Sequence, residues 1–242
     1  MNLIPIAHGR IQAGLGWEDR NMVSFGILTL VAVLILVTSF KRVPGIGVIT
    51  AMLIIGITIW LRGDGLIGLG FLPPENRNMT ILWSIIFGIA IQFLSTLILE
   101  PASDKITKST TDHSSFDNLR GNLMYFLLIL VGVWLVVVFL EEIIFRGYMM
   151  GDIAKLIGTS KIALAVNLIS TSTVFGLAHW YQGKSGALST GIIGVLLGIL
   201  FIASGFNLWL PILTHGVIDM VGLFLIYINA DKVLKERVKI IG

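Results

Sequence analysis

The chain reads as an all-α, polytopic membrane protein, a bundle of about seven (seven to eight) transmembrane helices, and two observations predict it. Hydrophobic residues fill 55% of the 242 positions and charged residues only 13%, roughly half the ~25% charge of a soluble domain. The mean hydropathy is +0.92, and the charges gather in short clusters between apolar runs long enough to span a bilayer, about 20 residues each.

In chain order the predicted spans cover 22–40, 43–61, 79–99, 122–140 and beyond, 162–178, 187–204 and 208–228. The first is read as a retained span, because the residues before it lack a short basic n-region and a small-residue cleavage site. A Gly/Pro-containing loop follows at 62–78, and a polar loop with Pro101 at 100–120 is the longest stretch expected to face water. The tail interleaves Lys232, Lys235, Arg237 and Lys239 with aliphatic residues, as a basic amphipathic segment on a membrane surface does. Three parts result: helices and polar loop over 1–121, a core over 122–228 and a basic tail over 229–242.

Several classes are excluded at once. With no cysteine, disulfides, thiolate metal sites and cysteine nucleophiles are absent. A net charge of +3 and a pI of 9.3 fit Lys and Arg in loops beside anionic lipid, not a nucleic-acid binder. Ten of the 17 basic residues fall on the side of the C-terminus, which predicts a cell-membrane protein with a cytoplasmic C-terminus. No internal repeat of the kind that builds transporters is visible. Ser172/Gly176 and Gly194/Gly198 have the spacing that lets helices approach closely in lipid.

The informative residues are those a membrane should reject. A charge inside a span costs about 2.5–3.5 kcal/mol on insertion scales, so it needs a partner or a purpose. Glu141, Glu142 and Arg146 interrupt an apolar helix, His179 ends the fifth span, and His215 and Asp219 lie inside the last. Glu142 and Arg146 stand at i,i+4 with the acid first, the favourable order for an ion pair. Glu141 lies about 100° round the helix, without such a partner, and is free to act on water. His215 and Asp219 are also i,i+4, so Asp219 is read as orienting the imidazole.

Convergence is partly legible. Glu141 and His179 are equidistant from residue 160 in the turn-like 158–160, so a hairpin reversing there sets them at one depth. Residues 122–157 would span roughly 54 Å as a helix, so that helix must bend or run past the bilayer. His215 and His179 meet only if 179–186 dips into the membrane, which backbone tolerates where it lines a wet cavity.

Glu141-Glu142-x-x-x-Arg146, then Phe175-x-x-x-His179, then His215-x-x-x-Asp219, in that order on successive membrane helices, resembles the CPBP (Abi) family, which includes the type II CAAX prenyl endopeptidases. The resemblance covers about residues 120–228. It implies a membrane-embedded endopeptidase in which Glu141 and His179 activate a water, and His215 with its partner Asp219 stabilises the oxyanion. Glu142, Arg146 and Phe175 would support the site. Eukaryotic-type members carry Asn where Asp219 stands; an ionised Asp accepts but does not donate, which favours the orienting role. Relatives act in CAAX processing, small-peptide maturation, bacteriocin self-immunity or scaffolding. The partners implied are a membrane-associated peptide or protein substrate and the bilayer. A zinc ion, if present, would take Glu141, His179 and His215, though the spacing does not require one.

Two rival readings remain. A non-catalytic scaffold of the same family would use the same helices. Gly183-Lys184-Ser185-Gly186 matches the Gly-x-Ser-Gly of rhomboid-type serine proteases, with His215 as a base, but leaves Glu141, Glu142 and His179 without a task. There is no His-Glu-x-x-His, and Asp219 is the one aspartate well inside a span. These observations disfavour the zinc site-2 and intramembrane aspartyl types.

Overall fold

Six helices carry the described part of the chain, residues 44–234 of a computed structural model; the predicted span 22–40 and the tail beyond 234 lie outside it. They are α1 (Pro44–Arg62), α2 (Arg77–Thr107), α3 (Leu123–Ile157), α4 (Lys161–Ala178), α5 (Gly183–Ala203) and α6 (Trp209–Tyr227). No strand occurs among the described residues. Five segments are long and apolar enough to cross a membrane, and α1 adds a shorter apolar stretch, Ile49–Arg62.

The sequence sets where several helices begin. Asn76, Asn122 and Ser160 precede α2, α3 and α4, and each side-chain oxygen accepts the N–H of the residue three positions on, at 3.1, 3.1 and 3.2 Å. Those bonds satisfy donors that the helix itself leaves unpaired. The bundle has an apolar core with polar residues set among it, and it also turns large apolar residues outward. Ser84, Thr96, Asn167, Thr171, Ser189 and Thr214 are buried, whereas Trp60, Leu135 and Ile162 are among the most exposed. Such a surface would be a liability in water and is the natural face toward lipid.

α4 runs along α5, and α6 along α2. Small residues allow both approaches. A Cβ on Gly176 would stand 2.5 Å from the Ala187 carbonyl oxygen and 2.9 Å from the Gly191 Cα. One on Gly88 would stand 2.5 Å from the Val217 Cβ. Because backbone faces Gly176 and backbone cannot swing aside, Gly176→Val should cost about 3 kcal/mol, the upper end of overpacking. Thermal melts in detergent check this against Gly56→Val, since a Cβ at Gly56 meets nothing within 4 Å.

One expectation needs correction. The segment 100–120 is not a loop throughout: α2 continues to Thr107, with Glu100 and Ser103 buried. Pro101 does not stop it, because the preceding turn, Ser95–Leu99, is π-helical. The wider turn absorbs the missing N–H and the ring's clash with the carbonyl four residues back. Residues 183–186 open α5, and the chain reverses just before them, through a 3-10 turn at Trp180–Gln182. As the length of 122–157 required, α3 exceeds a bilayer: it runs unbroken for 35 residues, with π-helical stretches at Val133–Val137 and Ile143–Met150.

Candidate active site

Glu141 and Glu142 sit on α3 between its two π-helical stretches. A π turn rotates the side chains after it relative to those before, which is why such turns recur at functional sites. His179 caps the end of α4, and His215 lies two turns into α6. The two imidazoles meet because the α4–α5 turn is recessed. Glu141 is 18 residues from the start of α3, about 27 Å, and His215 is 12 residues before the end of α6, about 18 Å. The depression is roofed by the segment that follows α2: Asp112 N–H donates to the Gln182 carbonyl at 2.9 Å, and Thr111 donates to Ser185 at 3.0 Å. Ser185 in turn donates to Asp104. Ser185 is fully buried and so engaged, so the Gly-x-Ser-Gly match presents no nucleophile to the cavity.

The four residues proposed for chemistry converge. The Glu141 carboxylate stands 3.9 Å from Nε2 of His179 and 3.8 Å from Nε2 of His215. Asp219 lies 3.6 Å from the same nitrogen of His215. Each imidazole is fixed from its far side. His179 Nδ1 is 2.9 Å from the Phe175 carbonyl oxygen, so Nδ1 carries the proton and donates, and Nε2 is turned toward Glu141. His215 Nδ1 is 2.7 Å from Glu142 Oε1. The hydrogen bond expected of Asp219 is thus made by Glu142, whose carboxylate approaches from α3 while Asp219 sits beside the other nitrogen.

Glu142 also takes Arg146, at 2.7 Å and i,i+4 as its position dictates. Arg146 continues to the Gly194 carbonyl at 3.1 Å and lies 4.4 Å above the Phe175 ring. Phe175 packs against both imidazoles, with ring centroids 4.8 Å from His179 and 6.1 Å from His215. A chain Arg146–Glu142–His215 therefore runs from a fully buried ion pair to the cavity-facing edge of a buried imidazole.

Glu141, His179 and His215 are the donors a zinc ion would use. They do not fit one here: among the described residues no group of three His, Asp or Glu side chains is placed to hold a metal ion. Their arrangement is a carboxylate between two imidazoles.

The site opens into a cavity of about 610 Å³. One wall is apolar, from Leu128, Ile129, Val133, Val136 and Val137 of α3; the opposite wall is polar, from Gln92, Ser95, Thr96 and Glu100 of α2. Gln92, Thr96 and Glu100 follow at i, i+4 and i+8, a polar stripe that the helical period could have revealed in the sequence. At the mouth His113 pairs with Glu100 at 3.1 Å, and Arg120 grips Asp231 through two bonds of 2.8 and 2.9 Å. These tertiary pairs carried no local sequence signal.

The Arg120–Asp231 clamp has a pH signature. Burial pushes the Asp231 pKa up, but the hydrogen bonds and charge of Arg120 outweigh it and hold it below the ordinary value. Since the folded-state value is depressed, the stabilisation is present above the unfolded value, about 3.9, and is lost as pH falls through the folded one. Asp231→Asn should therefore flatten the fall in melting temperature below about pH 4 relative to wild type. An unchanged acid profile would refute the clamp.

Residues 123–221 match the family model described as type II CAAX prenyl endopeptidase Rce1-like. The stretch contains all three motifs, and the chain accordingly carries a domain of the CPBP/CAAX protease family. No curated protein and no solved structure gives a significant match. The protein is a multi-pass membrane protein with a protease-family core.

Proposed function

We infer that this chain is an intramembrane endopeptidase in which Glu141, assisted by His179, activates water against a substrate peptide bond. The observation that carries the reading is a carboxylate set between two imidazoles whose far nitrogens are both committed elsewhere. Glu141 takes a proton from water while the oxygen attacks the carbonyl carbon. His179 Nε2 faces the same point and holds the water. His215, with Nδ1–H given to Glu142, becomes a donor to the oxyanion when Nε2 also carries a proton. The proton held by Glu141 then passes to the departing amine, which balances the hydrolysis. Arg146 and Phe175 act by holding Glu142 and the imidazoles in place.

The cavity mouth lies at the end of the bundle where α6 finishes, and the Lys/Arg bias assigns that end to the cytoplasm. The substrate is a membrane-associated peptide or protein that reaches the cavity from that side. The test is cleavage of membrane peptides by the purified protein in detergent, with Glu141→Ala, His179→Ala and His215→Ala in parallel. Loss of cleavage in all three is expected, together with activity that persists in a chelator series. Equal activity of wild type and variants would sink the peptidase reading and leave a scaffold.

A further inference from the structure

We propose that Asp219 is the specificity residue of the cavity, receiving a positively charged side chain, a lysine or an arginine, that flanks the scissile bond of the substrate. The proposal rests on the peptidase reading and names its substrate class. Asp219 is released from orienting His215, because Glu142 already holds Nδ1 at 2.7 Å. Its carboxylate faces the cavity with 29% of the side chain exposed, 3.6 Å from the Nε2 of His215 and beyond hydrogen-bond reach.

The rest of the lining points the same way. Four carboxylates border the cavity, Glu100, Glu141, Asp219 and Asp231, and among the described residues no Lys or Arg does. Glu100 is paired with His113 and Asp231 with Arg120, Glu141 is assigned to the water, and Asp219 keeps a 3.6 Å approach to His215 Nε2. That leaves Asp219, beside His215 at the reacting end of the cavity, as the carboxylate available to a substrate side chain. A Lys or Arg side chain suits the two unlike walls, since its stem lies on apolar surface while its head reaches a polar one. A carboxylate in the substrate at this position would meet the like charge of Asp219, so the same residue excludes acidic peptides.

The experiment uses three peptides with one apolar segment that differ at a single position beside the scissile bond: lysine, norleucine or glutamate. Wild type should cleave the lysine peptide with a kcat/KM at least about tenfold above norleucine and should not cleave the glutamate peptide. Asp219→Asn should bring the lysine/norleucine ratio to within about twofold, whatever its absolute rate. Binding of the same peptides to Glu141→Gln, with and without Asp219→Asn, supplies a readout independent of turnover. If wild type cleaves nothing, the peptidase reading fails, and the binding ratio alone decides the charge preference. Equal handling of lysine and norleucine peptides by wild type, or a preference that survives Asp219→Asn, overturns the proposal.

Discussion

Glu141→Gln is expected to lower kcat by about 10⁴-fold, the upper end of what a positioned base contributes, while the fold and peptide binding survive. Gln matches Glu in size and can still hydrogen-bond, but cannot accept a proton from water. Nothing structural depends on the lost charge. Glu141 faces the cavity with 24% of its side chain exposed, and the nearest imidazole nitrogens stand at 3.8 and 3.9 Å, outside hydrogen-bond length. Its removal also thins a cluster of carboxylates around His215. Single-turnover cleavage measures the first effect and the melting temperature the second. A Gln variant within tenfold of wild type would mean that another group takes the proton.

The second large effect is at Glu142, one residue away and opposite in character. Glu142→Ala should destabilise the protein by about 3–5 kcal/mol, because it leaves Arg146 as an unpaired buried charge. The side chain is fully buried and its Oε1 serves both Arg146 and His215. Turnover should fall as well, by roughly 10²- to 10⁴-fold, as when an imidazole loses the acceptor that sets its tautomer. Removing Arg146 as well separates the two effects. In Glu142→Ala/Arg146→Met the buried charge is gone, so stability should largely return, whereas turnover should not, since His215 Nδ1 still lacks its partner. A double variant that recovers both would reduce Glu142 to a counter-ion.

These neighbours also mark how far the sequence could be read. Spans were legible from hydropathy, because lipid enforces a long apolar run whatever the tertiary contacts. The pairing of Glu142 with Arg146 was legible because four residues on one helix face fix a distance. The freedom of Glu141 followed from the same geometry. What stayed hidden depends on chain reversal. The bond between Glu142 and His215 joins residues 73 positions apart, and no local period encodes it. His215 therefore suggested Asp219 as its orienter, the i,i+4 neighbour, when the nearer carboxylate arrives from another helix. The continuation of α2 past Pro101 was hidden too, because proline is a helix breaker by rule and a preceding π turn has no signature in a single sequence.

The apolar wall of the cavity belongs to α3, and Leu128, Val136 and Val137 both line the cavity and stand on the outer surface of the bundle. The same side chains therefore meet the cavity on one side and, in a bilayer, the surrounding lipid on the other. On the proposed peptidase reading, supply is a two-dimensional problem. The quantity that sets the encounter rate is the number of substrate molecules per unit area of bilayer, not per litre. Diluting the membrane with inert lipid should then slow the enzyme even when nothing in the aqueous phase has changed.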